Sequence, residues 1–363
     1  MRWYFSLHIT SFETRDFRNL ERVEIQPCAG VNVIFGENGQ GKTNLLEGIW
    51  LFTGCRSFRG ADVGEMVMQG KKKAALEVKF VSNGREQSAR LELEERRVLQ
   101  LNGFAQETPR RMLGVFPAVA FTPATLALVQ GGPGERRRFL DVALSMLTPA
   151  YAVRLSKYLK ALAQRNALLR QADPPEDLLD TWDAALAREA ESLCGARLRY
   201  MKELIPRAGE FYAGISGGQE ILGLEYRLSG VTEAVEEAYL AALKRVRKSD
   251  MRRQMTTLGP HRDDLTLTLD GRSCRDFGSQ GQQRTAALAL KLAEASVLSV
   301  ITQEPPIALL DDVLSELDAR RQADLLRYLE GWQVFLTCCE PSHTLHGSAG
   351  KIFNVERGQI REI

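Results

Sequence analysis

Uninterrupted apolar runs are short throughout, and none reaches the roughly 20 residues of a membrane-spanning helix. The expectation is therefore a chain with no transmembrane segment and no membrane partner. Cysteine pairs at C-x-x-C spacing are missing, and Cys28, Cys55, Cys194, Cys274, Cys338 and Cys339 are scattered. That scatter argues against a zinc cluster and reads as reduced thiols. The opening Met1-Arg2-Trp3-Tyr4-Phe5-Ser6-Leu7 lacks the apolar core and small-residue cleavage site of a signal peptide. Together these lead to the expectation of a cytoplasmic protein. Neither sign of charge is in excess, with 48 Lys and Arg against 46 Asp and Glu. Any nucleic-acid contact must then come from local patches rather than bulk charge. Internal repeats and low-complexity linkers are also absent. What remains is an ordinary globular composition over 363 residues, material for about two domains.

One stretch carries chemistry. Val31-Asn32-Val33-Ile34-Phe35 is an apolar run. Gly36-Glu37-Asn38-Gly39-Gln40-Gly41-Lys42-Thr43 reads G-x-x-x-x-G-K-T, and Asn44-Leu45-Leu46-Glu47-Gly48-Ile49-Trp50 continues as a helical pattern. Strand, glycine-rich loop and helix in that order form a cradle for nucleotide phosphates. Gly36, Gly39 and Gly41 let the backbone turn its N–H groups toward phosphate oxygens. The helix start adds partial positive charge. Lys42 can reach the outer phosphates, and the Thr43 hydroxyl can ligate Mg²⁺. The expected cofactors are ATP and Mg²⁺, with the nucleotide held by Gly36 through Asn44.

A second motif lies far along the chain. Pro306-Ile307-Ala308-Leu309-Leu310-Asp311-Asp312 is an apolar strand ending in two carboxylates. A buried strand that delivers an acid beside the glycine-rich loop is how such sites hold Mg²⁺. Asp311 is assigned to the metal. Asp312, projecting to the opposite face of the strand end, is assigned to the attacking water. The continuation Val313-Leu314-Ser315-Glu316-Leu317-Asp318 resembles the loop that lies against the partner subunit in ABC-type ATPases. Upstream, Ser279-Gln280-Gly281-Gln282-Gln283-Arg284 opens a helical run from Thr285 to Val300. A hydroxyl and a glycine at a helix start make a second anion site. One molecule does not need two such cradles, so Ser279, Gly281 and Gln282 are expected to face the nucleotide of a second subunit. The segment resembles the ABC signature. Ser216-Gly217-Gly218-Gln219-Glu220 looks similar but precedes the alternating pattern Ile221 to Leu228, and it is read as a turn.

The remaining pattern gives the frame. Val23-Glu24-Ile25, Ala75 to Phe80 and Ala89 to Leu93 alternate as half-exposed antiparallel strands do, and Asn102-Gly103 reads as a hairpin turn. Phe139 to Met146, Tyr151 to Leu169 and Leu178 to Ala208 repeat at helical period, divided or ended by Pro149, Pro174-Pro175 and Pro206. Glu236 to Arg253 is helical with a basic end, and Leu265 to Leu269 and Val334 to Thr337 read as strands. The expected fold is α/β. A discontinuous nucleotide-binding head comes from 1–121 and 251–363, with a mixed sheet and an antiparallel β subdomain. A mostly helical arm or lid is inserted at 122–250.

This ordered series resembles the RecF family, bacterial recombinational-repair ATPases related to the Rad50 and SMC heads. The resemblance is carried by Asp16-Phe17-Arg18-Asn19-Leu20 before the loop and Arg56-Ser57-Phe58-Arg59 after its helix. It continues through Leu128-Val129-Gln130-Gly131-Gly132-Pro133, Arg136-Arg137-Arg138-Phe139-Leu140-Asp141, and Tyr158-Leu159-Lys160 with Gln164-Arg165-Asn166. Gly259-Pro260-His261-Arg262-Asp263-Asp264-Leu265 and Leu310 through Asp318 complete it. The resemblance implies an ABC/Rad50-like P-loop ATPase head. It implies an ATP-dependent DNA-binding protein acting at single-strand gaps and blocked forks. It further implies a dimer with ATP sandwiched between subunits, bound to duplex DNA near single/double-strand junctions, with slow DNA-stimulated hydrolysis as a switch. The implied partners are RecR and RecO, which help load RecA onto SSB-coated single strands. The chain departs from the family at Ala124-Thr125, where an acidic pair often follows Pro123. Thr337-Cys338-Cys339 replaces the ABC switch histidine, and no glutamine after Phe121-Thr122 is assigned to a Q-loop.

Lys71-Lys72-Lys73, Arg136-Arg137-Arg138 and Lys244 to Lys248 are basic clusters that can follow a DNA backbone or simply face solvent. No aromatic stripe interleaves them, which favours duplex backbone over base stacking. Arg18, Arg56, Arg59, His261 and Arg262 stand open between phosphate contact and structural roles. Two other functions share the motifs. A transporter ATPase subunit is opposed by the missing histidine and the helical insertion. A scaffold joined by ATP stays open because Asp312 stands where ABC enzymes usually carry Glu. The missing N-K-x-D motif argues against a GTPase.

Overall fold

The computed structural model describes residues 6–340 and 350–363. It divides into two compact units, Met1–Thr125 with Leu290–Ile363, and Leu126–Ala289. Segment 251–289, expected with the nucleotide-binding head, groups with the helical unit instead.

The first unit holds two six-stranded sheets. One is antiparallel, in the order β2-β1-β4-β5-β6-β7. Its strands are β1 (His8–Phe17), β2 (Leu20–Ile25), β4 (Ala74–Ser82), β5 (Arg85–Leu93), β6 (Arg97–Leu101) and β7 (Phe104–Gln106). Burial alternates along β4, with Ala74, Leu76, Val78 and Phe80 turned inward, because a strand's side chains point to opposite faces. Asn102 and Gly103 both take positive φ and close the β6–β7 hairpin, as expected.

The second sheet runs in the order β15-β14-β3-β13-β12-β8 and is parallel except for β15. Its strands are β3 (Val31–Phe35), β8 (Ala118–Phe121), β12 (Ile307–Asp311), β13 (Val334–Cys338), β14 (Lys351–Glu356) and β15 (Gln359–Glu362). Every residue of β12 and β13 is buried, the pattern of central parallel strands covered on both faces. The Lys42–Trp50 helix follows the glycine-rich loop and buries Leu45, Leu46 and Ile49. Phe12, Phe52, Phe80 and Phe116 meet edge to face in the core. The buried Gln333 joins the sheets: its amide bonds both backbone groups of Ile9 and the Cys28 carbonyl.

The second unit packs the helices Pro133–Leu147, Pro149–Leu168, Glu176–Ser216 and Glu236–Arg253 with a three-stranded antiparallel sheet. The sheet order is β11 (Arg272–Ser273), β10 (Asp264–Leu269), β9 (Leu222–Arg227). Pro149 and Pro175 sit at helix starts, where a missing N–H costs nothing. Pro206 does not end its helix; it lies inside the 41-residue Glu176–Ser216 helix. Packing of Leu204, Ala208 and Tyr212 carries the helix past it. Ser216 ends that helix, and Gly217 to Glu220 form the turn leading into β9. Fully buried Arg165 pairs with Asp183 and Asp250 at 2.5 and 2.7 Å.

The Gln280–Thr302 helix is long and apolar enough to cross a membrane by composition, and 72% of its apolar window is buried inside the protein. Lys291 and Glu294 break its apolar run in the sequence and pair with each other in the interior. Its burial makes it a core helix of the fold.

Candidate functional site

A cavity of about 660 Å³ opens where the glycine-rich loop meets the C-terminal ends of β12 and β13. Asn38, Gly39, Gly41, Lys42, Thr43 and Asn44 line it from the loop and helix, Asp311 and Asp312 from β12, and Thr337 from β13. Asn19, Phe58, Arg59, Thr122, Pro123 and Ala124 complete the wall. Two glycines are required by geometry. Gly36 has φ 150°, and a Cβ there would lie 2.3 Å from the Val355 carbonyl oxygen. Gly41 has φ 121°, and a Cβ would lie 2.8 Å from Leu20.

The two distant motifs touch. Thr43 Oγ1 donates to Asp311 Oδ1 at 2.8 Å. Thr337 Oγ1 donates to the same oxygen at 2.9 Å and accepts the Asp312 N–H at 2.9 Å. Burial pushes the Asp311 carboxyl above its usual range, and the Thr43 and Thr337 hydroxyls partly offset this. Lys42 Nζ donates to the carbonyls of Gly36 and Glu37 at 2.5 and 2.9 Å. Asp312 was expected on the opposite face of the strand end, but it shares the cavity with Asp311. Its φ of 52° turns the backbone just past β12.

Several supporting contacts could not be read from the sequence. Glu47, fully buried on the loop's helix, takes both a bidentate pair from Arg18 at 2.9 and 3.0 Å and the Ser57 hydroxyl at 2.5 Å. Arg18 therefore serves as an anchor of this helix. Asn19 ties Gly39 O to Asn44, and Arg59 donates to Asn44 Oδ1 at 2.9 Å. Gln40 lines no part of the cavity; its side chain and carbonyl accept the backbone N–H groups of Arg357 and Gly358 in the β14–β15 turn.

Ser279, Gly281 and Gln282 belong to the second unit. Ser279 and Gln282 form a reciprocal cap: Ser279 N–H donates to Gln282 Oε1 at 2.7 Å, and Gln282 N–H to Ser279 Oγ at 3.3 Å. The Gln282 amide also donates to Glu220 Oε1 at 2.7 Å. The turn that resembled a second signature thus supplies a support for the first. Gln130 does not line the cavity and donates to the buried Gln283.

Within the basic clusters, Arg136 and Arg247 are drawn into ion pairs, while Arg138, Lys244, Arg245 and Lys248 stay exposed. Arg136 is buried and doubly bonded to Asp264, Arg137 donates to the Asp263 carbonyl, and Arg247 pairs with Asp180 and Asp183. Lys71, Lys72 and Lys73 are exposed. His261 is held between the Tyr158 hydroxyl at 2.6 Å and the Thr256 carbonyl at 3.1 Å. Asp263, fully buried, accepts from Ser229 N–H and the Tyr226 hydroxyl. The Gly259 to Asp264 string is therefore a structural junction. Its composition left this role open, because partners such as Tyr158, Tyr226 and Ser229 come from elsewhere in the chain.

A glycine-rich loop beside a strand-end carboxylate on a parallel sheet, with an antiparallel sheet in the same unit, defines an ATPase head of the ABC/SMC class. The description RecF/RecN/SMC N terminal domain matches residues 8–359. DNA replication and repair protein RecF of Agathobacter rectalis is 36% identical over 98% of this chain and 99% of its own length. The RecF protein of Heliobacterium modesticaldum is 39% identical, covering 98% and 99%. A solved structure of the recombination mediator protein RecF-ATP in the RecFOR pathway superposes with a TM-score of 0.93 at 33% identity, covering 100% of this chain and 99% of that one. The Smc head domain of Pyrococcus furiosus, at 17% identity and TM-score 0.57 over 98% and 96%, shares the fold alone. The chain belongs to the RecF family of DNA replication and repair proteins.

Proposed function

We propose that this chain is an ATP-gated DNA-binding protein of recombinational repair, with hydrolysis as its reset. The contact of Thr43 with Asp311 carries the reading, because it joins the phosphate loop to the strand-end acid inside one cavity. The loop from Gly36 to Asn44 would take ATP, with Lys42 exchanging its two carbonyl partners for the outer phosphates. Thr43 and Asp311 would hold Mg²⁺. Their paired hydroxyl and carboxylate suit that ion, and among the described residues no cluster of three His, Cys, Asp or Glu offers a full protein cage. When bound, the ion neutralises phosphate charge. Asp312, in the same cavity, would orient and deprotonate the attacking water.

Ser279, Gly281 and Gln282, at a capped helix start, would meet the nucleotide of a second copy, giving an ATP-dependent homodimer. The dimer would bind duplex DNA at single-strand gaps and junctions through its backbone. With RecR and RecO, it would help load RecA onto SSB-coated single strands, with slow DNA-stimulated turnover. The relatives' names and the RecF-ATP likeness support this role.

Sedimentation velocity with ATP, ADP or no nucleotide tests the gate. Wild type should dimerise with ATP alone and Lys42→Met should stay monomeric. A single species unaffected by nucleotide would overturn the reading.

A further inference from the structure

Thr337, near the end of β13, turns its side chain to the two acids at the end of β12. It is 1% exposed on β13, aligned with Asp311 of β12 on one side and Ile34 of β3 on the other. A threonine hydroxyl has one hydrogen to give and two lone pairs to receive. The hydrogen goes to Asp311 Oδ1, and a lone pair takes the Asp312 N–H, each at 2.9 Å. Asp312 occupies the left-handed region at φ 52°, which few non-glycine residues adopt without local support. Thr43 holds the same Asp311 oxygen at 2.8 Å from the opposite element.

We propose that Thr337 is a positioning residue for hydrolysis, fixing Asp311 and the backbone turn of Asp312 with one hydroxyl. It orients the metal-side acid toward Thr43 and holds the water-side acid in the cavity. This rests on the hydrolytic reading above. The role separates turnover from nucleotide affinity, because the loop that grips phosphate does not involve β13's hydroxyl.

The test compares full-length wild type, Thr337→Val, Thr337→Ala and Thr337→Ser. Readouts are DNA-stimulated ATP turnover, equilibrium binding of a fluorescent ATP analogue and thermal melting. Valine keeps the shape and removes the hydroxyl; alanine stands in for it should the valine variant not melt cooperatively. Loss of the hydroxyl should lower kcat about tenfold or more while nucleotide Kd moves less than about threefold. Serine should restore most of the turnover. In an Asp312→Asn background, Thr337→Val should cost less than it does in wild type, since part of its effect passes through Asp312. A lowered melting temperature with wild-type kcat, or a serine variant as slow as valine, would overturn the inference alone. A wild type that binds ATP without any turnover would overturn the hydrolytic reading and this inference with it.

Discussion

A carboxylate just past a strand can face solvent, a partner or a cavity, and the backbone angle selects among them. At Asp312 that angle is φ 52°, which sets it beside Asp311 in one cavity. Asp312→Asn keeps the shape and removes the base. Turnover should fall by about a hundredfold or more, with ATP-dependent dimerisation retained. Steady-state kinetics with sedimentation checks this, and unchanged turnover would remove Asp312 from the chemistry. His261 makes a second prediction at this scale. Burial pushes its pKa down to about 4, against its ordinary 6.5, with Arg262 and Arg137 adding to the shift and the Thr256 carbonyl opposing it. The unfolded chain then binds more protons than the folded one between those values. The contribution to stability is complete above the ordinary value and is lost as pH falls toward about 4. Urea unfolding should show a smaller loss from pH 7 to 5 in His261→Gln than in wild type.

Among the elements, the Lys42–Trp50 helix depends on a buried charge. Glu47 has no accessible surface and is held by Arg18, Ser57 and, at 3.8 Å, Arg59. Arg18→Ala leaves that carboxylate buried with fewer donors, and unfolding free energy should drop by about 2 kcal/mol in urea titration. This element also marks how far the sequence could be read. The apolar run of β3, the glycine loop and the capped start at Ser279 are local patterns, so their place and type were legible. The alternation of β4 and β5 was legible for the same reason, since one face is buried. Arg18 and Glu47 were not, because their pairing exists only once β1 is laid against the helix. Arg136 looked like surface charge for the same reason: Asp264 is brought to it by tertiary packing. Pro206 misled because its neighbours' packing outweighs the one lost hydrogen bond.

For the whole molecule, a net charge of +2 gives no general attraction to DNA, and within the basic clusters Arg136 and Arg247 are taken up in ion pairs. In the proposed dimer, exposed cations of two copies would act together on DNA, which would tie affinity to the nucleotide that joins them. In that proposal the cavity and the capped helix start would be the two parts of the gate. The most direct measurement is binding to a gapped duplex with ATP, ADP and no nucleotide, for wild type and Lys42→Met. Salt-sensitive binding with ATP only, lost in the variant, is expected. Equal binding in all three conditions, or in both proteins, would contradict it.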